Sequence, residues 1–451
     1  MPQPLHIGLD LGTTSAKACA FDNNGKLVAE RSGDYPLLHP EPGAAVQDVE
    51  QIATVAERLL KELITDLPYP ATGMGISCPM HGVLLLDADG QPTGPVVTWA
   101  DVRPQAVMDE FPTHLRSRLL RKTGTPVHPM SPLVKLRWMV QHRPELLDNA
   151  HYLSDIKSYL VDRWTTSGRL LDEQLASATG LLNLARRDWD EEAFTLAGGG
   201  KALPLSLPKV VPAATRLHWR PEVADRLGTR QLPLYIGGSD GCLANLGSGL
   251  LEPGKVSLTI GTSGAVRATH SGLKADVQHQ LFNYLLFDEY SVLGGATNNG
   301  GKVIEWTYKL LKGHFASIGD MIGAAAGAKN TELEFTPYLY GERAPIWDAL
   351  ATAAFTNLRG HHRPVDIARA VLLGVTDNVI AILRQVEEAT CPSEVIYASG
   401  GFTRTQAWVD LLAERSGRRV EVAHTPQASA YGAALIAKRA LVGGEKEVVD
   451  Q

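Results

Sequence analysis

A short apolar strand runs into a Gly-Thr turn and out into a second strand twice in this chain. The first copy spans Ile7 to Ala18 through Gly12-Thr13-Thr14-Ser15, and the second spans Val256 to Val266 through Gly261-Thr262-Ser263-Gly264. A strand–turn–strand unit recurring in each half is a mark of duplication. The repetition predicts two related lobes facing one another across a cleft, and 451 residues are enough for both. The expected division is 1–236 and 237–451, because the Pro-rich stretch Pro204 to Pro233 reads as the connection to something new.

Between the two copies, strand and helix patterns mix. After the second strand, Asp22-Asn23-Asn24-Gly25 turns the chain into a third strand, Lys26 to Arg31, so the fold opens on an antiparallel meander. Helical spacing of apolar residues marks Asp48 to Leu63, and Gly73 to Cys78 returns to strand. Further helices are expected at Ser131 to Gln141 and Asp155 to Trp164, and a frayed end over Gly443 to Gln451. This alternation predicts an α/β protein.

The turns carry chemistry. Gly12, Thr13, Thr14 and Ser15 gather backbone N–H groups and three hydroxyls in one hairpin, which suits a phosphate held without full positive charge. Asp10 lies two residues earlier on an otherwise apolar strand, where a carboxylate is costly unless it meets a metal or donors. Mg²⁺, an oxygen-seeking ion that keeps much of its water, suits that carboxylate beside phosphates. Gly261, Thr262 and Ser263 repeat the turn chemistry, so two hairpins could grip a triphosphate. No Gly-Lys pair is followed by Ser or Thr, which excludes a P-loop, and no dinucleotide-binding glycine fingerprint is present.

Gly237-Gly238-Ser239-Asp240-Gly241, after the apolar run Leu232 to Ile236 and before a helix-like run, has two readings. It matches GxSxG, a nucleophile elbow with Ser239 as nucleophile. Alternatively Asp240 takes the proton of a substrate hydroxyl during phosphoryl transfer. The elbow leaves both Gly-Thr hairpins unexplained. Gly294 to Gly301 and Ser399-Gly400-Gly401-Phe402 each follow a strand; they are read as turns where backbone comes close to a flat ligand, or as close packing of a helix on a sheet. Met80-His81-Gly82, Trp99 to Arg103 and His128-Pro129-Met130 mix donors, acceptors and an aromatic ring in a way that suits a polyhydroxylated ligand.

Charge and cysteine content narrow the partners. With 43 Lys+Arg against 49 Asp+Glu, the net charge of -6 gives no reason to expect nucleic acid or an anionic membrane, and a small molecule is the expected ligand. Cys19, Cys78, Cys242 and Cys391 are scattered without metal-ligand spacing and read as reduced thiols. No secretory signal or bilayer-length apolar run is seen, and the expected location is the cytoplasm. A homodimer is the candidate assembly.

Taken together these residues resemble the FGGY family of carbohydrate kinases over nearly the whole chain. Met130-Ser131-Pro132-Leu133-Val134-Lys135-Leu136-Arg137-Trp138-Met139 looks like a family signature, and the two Gly-Thr hairpins look like its phosphate motifs. Thr98 to Asp101, Lys122 to Leu133, Leu175 to Gly180, Asp188 to Glu192 and Gly341 to Pro345 look like segments of its gluconate-phosphorylating members. Met80-His81-Gly82 is equally like its xylulose-phosphorylating members. Leu373 stands where a second signature has an acidic residue before Gly374.

The resemblance implies two actin-like, ribonuclease-H-like lobes, with the sugar site and first phosphate hairpin in the N-terminal one and the ATP site in the C-terminal one. It implies transfer of the γ-phosphoryl group of ATP, with Mg²⁺, to a sugar-acid hydroxyl, D-gluconate at its 6-position before xylulose. Asp240 would be the base, and Asp10 and Asp240 would hold Mg²⁺ through water. Gly12, Thr13, Thr14, Ser15, Lys17, Gly261, Thr262 and Ser263 would hold phosphate, and Gly295, Asn299, Gly400 and Gly401 would seat the adenosine. Met80, His81, Trp99, Asp101, Arg103, His128 and Asp240 would line the sugar site. An actin-like nucleotide sensor without catalysis is the reading from another class.

Overall fold

A computed structural model describes residues 4–274, 276, 278–329, 332–423 and 427–443. The chain forms two compact units, one comprising Met1–Gly249, Tyr284–Ser291 and Thr425–Gln451, the other Leu250–Asn283 and Val292–His424. The expected division at 236 is therefore displaced. Residues 237–249 and the C-terminal helix Ala428–Gly443 belong to the first unit, and the Pro-rich stretch is no linker.

In the first unit, β1 (Leu5–Leu11), β2 (Ser15–Phe21) and β3 (Leu27–Asp34) form the expected meander. Then come α1 (Val49–Asp66), β4 (Ala71–Cys78), α2 (Pro132–His142), α3 (Ile156–Trp164), β5 (Arg216–Leu217), β6 (Leu234–Ser239) and α4 (Asp240–Gly247). The sheet order is β5-β6-β4-β1-β2-β3, with β1, β4 and β6 parallel. Edge strand β5 comes from inside the Pro-rich stretch. Helix α1 starts where Asp48 accepts the amides of Glu50 and Gln51, and it buries Ile52, Leu59, Leu60 and Leu63 against the sheet. Each such side chain contributes about 1.5–3 kcal/mol of burial.

The C-terminal helix lies on the same sheet by backbone contact. A Cβ on Gly8 would fall 1.8 Å from the Ala430 carbonyl oxygen, and one on Gly75 would fall 2.3 Å from that of Ala433. These strand glycines exist because a helix backbone occupies the space of their side chains.

The second unit repeats the plan. β7 (Lys255–Ile260) and β8 (Gly264–Ser271) are the second hairpin, and β9 (Phe282–Phe287) and β10 (Tyr290–Thr297) follow, with Tyr284–Ser291 of that pair grouped with the first unit. After α5 (Gly301–Leu310) and α6 (Pro364–Ala389), β11 (Val395–Ser399) and β12 (Arg419–Val422) complete a sheet of order β9-β10-β8-β7-β11-β12. β7 runs parallel to β11, and β11 to β12. In both sheets a strand pairs antiparallel with its successor on one side and parallel with a much later strand on the other. The expected fraying after Gly443 lies outside the described residues.

Candidate active site

Three neighbouring parallel strands bring the acidic candidates to one edge of the first sheet. Asp10 pairs in register with Ser77, and Ser77 with Gly238, so Asp10 near the end of β1 and Asp240 just past β6 flank the end of β4. Ligands of α/β sheets bind beyond such carboxyl ends. Ser77 Oγ donates to Asp10 Oδ1 at 2.6 Å. Burial pushes the Asp10 carboxyl above the usual carboxylate range, while the Ser77 hydrogen bond and the charges of Lys17 and Lys157 pull it back.

The first turn is fastened through its carbonyls. Tyr35 Oη donates to the carbonyls of Gly12 (2.7 Å) and Ser15 (3.1 Å), Gln47 Nε2 to that of Thr13 (2.7 Å), and the Tyr35 amide to that of Thr14 (3.0 Å). Among the described residues no hydrogen bond uses the amides of Thr13 and Thr14, which leaves donors for an anion. Trp99 Nε1 donates to Thr13 Oγ1 at 3.1 Å, tying an expected sugar residue to the phosphate turn. Lys17 lies across from Asp10 on β2, and its ammonium donates to Gln427 Oε1 at 2.8 Å.

Asp240 is the first residue of α4, where the helix dipole favours a carboxylate. Its Oδ1 accepts the Gly241 amide at 2.6 Å. Ser239, the rival nucleophile, is fully buried; its Oγ caps α4 by accepting the Cys242 amide and its own amide donates to Gln174 Oε1. An elbow needs an exposed serine, so the hydrolase reading is overturned.

Around the expected sugar site, His81 is buried in a left-handed conformation (φ 69°). Its Nδ1 is 2.7 Å from the Ala178 carbonyl, so a neutral ring donates there and turns an accepting Nε2 elsewhere. Segments Lys122 to Leu133 and Leu175 to Gly180 frame it together, since Thr125 Oγ1 donates to the Ser177 carbonyl and the Leu133 amide to that of Thr179. Met80 is half-buried on the apolar core, and His128 Nδ1 accepts the Met130 amide at 3.2 Å.

Asp101 and Arg103 satisfy each other. The Asp101 carboxylate, fully buried, accepts from Arg103 Nε and Nη2 and from the Ala45 amide, and Arg103 also pairs with Glu41. Their mutual saturation makes them a structural pair rather than spare sugar contacts.

In the second unit the Gly261 turn meets two other glycine loops. The Gly301 amide donates to the Gly261 carbonyl at 2.6 Å and the Lys302 amide to that of Thr262, so the start of α5 sits on the turn that carries Ser263. Gly400 takes φ 98°, where a Cβ would fall 2.5 Å from the Ile260 carbonyl oxygen, and this brings Gly400-Gly401 against the same turn. Gly295 and Asn299 are different. Gly295 lies inside β10, not in a turn, and its missing side chain makes room for Ile382 and Ala344. Asn299 is fully buried, its amide spent on Gly341, Tyr340 and Glu342. For these two the packing reading replaces the adenosine reading.

Sequence reasoning missed Lys157 and Glu342. Lys157, fully buried on α3, donates to the carbonyls of Ile76 (3.1 Å) and Gly238 (2.6 Å) and to Asp172 (2.9 Å), tying the ends of β4 and β6. Its signal was a lysine on the stripe that includes Leu160, Val161 and Trp164. Glu342, also fully buried, collects Thr297, Asn299 and Asn378.

Mg²⁺ fits the donor set. Asp10 and Asp240 supply hard oxygen and belong to no group of three metal-ligating side chains among the described residues, so an ion there would draw its remaining ligands from water and phosphate. Among the described residues no helix is long and apolar enough to cross a membrane.

Comparison with known proteins identifies the family. The N-terminal domain model of the FGGY family of carbohydrate kinases matches residues 5–247 and the C-terminal domain model residues 256–441. The chain is 33% identical to a gluconokinase of Bacillus subtilis (strain 168) over 450 residues, covering 95% of this chain and 86% of that one. Solved structures of a ligand-bound xylulose kinase (TM-score 0.91, 30% identity, 98% and 90% covered) and a gluconate kinase (TM-score 0.90, 29%, 99% and 91%), both from Lactobacillus acidophilus, share its fold. The fold is thus the actin-like two-lobe architecture, and carbohydrate kinases of this family use ATP, generally with Mg²⁺, on small sugar substrates. Strand ends, turns and relatives agree: the chain belongs to the FGGY family of carbohydrate kinases, phosphotransferases with an alcohol group as acceptor.

Proposed function

We propose that the chain phosphorylates D-gluconate at its 6-hydroxyl with ATP. The observation carrying the reaction is the placement of Asp10 and Asp240 at the ends of the parallel strands β1 and β6, on either side of β4, beside a turn with two uncommitted amides. The Asp240 carboxylate accepts the proton of the sugar hydroxyl as its oxygen attacks the γ-phosphorus, and the bond to ADP breaks. Asp10, with Asp240, would hold Mg²⁺ through water, and the ion would supply charge neutralisation to the phosphates. Thr13, Thr14, Ser15 and Lys17 receive phosphate oxygens on the first unit. Gly261, Thr262 and Ser263 do so on the second, with Gly400 and Gly401 beside the nucleoside.

For the acceptor, His81, Trp99 and His128 are the sugar contacts. With Arg103 committed to Asp101 and Glu41, the gluconate carboxylate falls to His128, whose Nδ1 accepts the Met130 amide and whose Nε2 therefore carries the ring proton, while the accepting Nε2 of His81 takes a sugar hydroxyl. The gluconokinase of Bacillus subtilis and the gluconate-like segments around Trp99 and His128 support gluconate. Xylulose is the second reading, favoured by Met80-His81-Gly82 and the xylulose kinase structure. The enzyme is proposed to work in the cytoplasm, with Cys19, Cys78, Cys242 and Cys391 free thiols and a homodimer as its assembly. Coupled ADP release with ATP and Mg²⁺ against gluconate, xylulose, ribulose and glycerol tests the substrate. Selective turnover of gluconate supports the proposal; turnover of another sugar alone overturns the gluconate assignment, and no acceptor-dependent turnover would favour a sensor.

A further inference from the structure

The family signature on α2 carries a lysine that the proposed reaction leaves unused. Lys135 lies on the core-facing stripe of α2 with Trp138 and Met139, where the helix pattern calls for an apolar side chain. It is fully buried. Its ammonium reaches two backbone carbonyls, those of His81 and of Val97 (3.2 Å). Those carbonyls belong to two different segments, Met80-His81-Gly82 and the stretch leading through Thr98 to Trp99.

A buried lysine is expensive, so its retention needs a return that an apolar residue could not give. His81 supplies one. Its backbone is left-handed, a conformation a non-glycine residue keeps only when its surroundings fix it. The Ala178 carbonyl at Nδ1, Lys135 at the main-chain carbonyl and the Tyr284 ring, edge-on with centroids 5.9 Å apart, are among the contacts that hold it. Burial pushes the Lys135 ammonium down to about 7, against the opposing charge of Asp101. An amine that has lost one proton still donates to both carbonyls, so the crosslink persists in either form.

We propose that Lys135 is a positioning residue of the acceptor site, crosslinking the His81 and Val97–Trp99 segments so that His81 Nε2 and the Trp99 ring meet the sugar in a fixed geometry. This rests on the reading that His81 contacts the acceptor. Lys135 itself touches no substrate.

Lys135→Met tests it, because methionine fills the space without donating, and the loss of two hydrogen bonds is offset by removal of a buried cation. With the best acceptor of the panel, the KM for that sugar should rise at least tenfold while the KM for ATP and the melting temperature change little. A double-mutant cycle with His81→Gln separates the two claims. Non-additive effects, with the double variant no worse than His81→Gln alone, support Lys135 acting through His81. Additive effects, an unchanged sugar KM in Lys135→Met, or an equal rise in both KM values with a lower melting temperature overturn the proposal. An unchanged sugar KM in His81→Gln instead overturns the underlying placement of His81 at the acceptor, and the Lys135 proposal with it. Should Lys135→Met fail to fold, Lys135→Leu, which also cannot donate, is run through the same cycle with the same criteria.

Discussion

Ser77 on β4 donates a 2.6 Å hydrogen bond to Asp10 on β1, the register partner directly beside it. That bond opposes the burial that otherwise favours a protonated Asp10. Removing it in Ser77→Ala should weaken the hold on Mg²⁺. A hydrogen bond to a charged group is worth about 1.5–3 kcal/mol, so the Mg²⁺ concentration for half-maximal rate at pH 7.5 should rise by about 10- to 100-fold. A Mg²⁺ titration of the steady-state rate measures this, and an unchanged requirement would detach Asp10 from the ion.

Gly8→Ala places a Cβ 1.8 Å from the Ala430 carbonyl oxygen, a backbone atom of a packed helix. The C-terminal helix must move or the strand must bend. Overpacking of this kind costs about 1–3 kcal/mol or more. Thermal unfolding should show a clear drop in melting temperature, whereas wild-type behaviour would mean that the helix does not pack there.

Asn299→Ala should behave as a core variant. Its amide joins the main chain of Gly341 and Tyr340 to Glu342, and its loss leaves buried polar groups unpaired at about 1–3 kcal/mol each. Denaturant midpoints should fall while the KM for ATP stays within about twofold, the resolution of such a comparison. A large rise in that KM at unchanged stability would return Asn299 to the nucleotide site.

Asp155 caps α3 through the Ser158 amide and is buried, and burial pushes its carboxyl up to about 6. A folded-state value above the unfolded one means that its contribution to stability is fully present below about pH 4 and is lost as pH rises through 6. Asn caps equally well and has no charge to bury. Asp155→Asn should therefore gain on the wild type by about 2–3 kcal/mol between pH 4 and 7.5, because each tenfold change in proton affinity on folding is worth about 1.4 kcal/mol. Urea unfolding at both pH values checks this, and a pH-independent difference would contradict it.

Local patterns carry much of the fold. The meander, both Gly-Thr hairpins and α1 with its Asp48 cap are legible because each rests on residues close in sequence. What stays hidden depends on distant contacts. Nothing near Gly8 announces that Ala430 will pack on it, so the return of the C-terminal helix to the first unit is not readable locally. Gly294 and Gly295 resemble a turn because glycine in a strand interior has the same local signature as glycine in a loop. Asp101 and Arg103 are legible as polar groups, but sequence does not say whether such groups face a ligand or each other. Lys135 and Lys157 are visible only as violations of a helix stripe, with their carbonyl partners far along the chain.

The central claim is that Asp240 accepts the proton of the sugar hydroxyl. Asp240→Asn keeps the size of the side chain and the start of α4 while removing the base. With ATP, Mg²⁺ and gluconate, or whichever panel sugar turns over, acceptor-dependent ADP release should fall at least about a hundredfold, the usual contribution of a general base. ATP binding, followed by calorimetry, should persist. Near-normal turnover in this variant would contradict the account and remove Asp240 from its catalytic role.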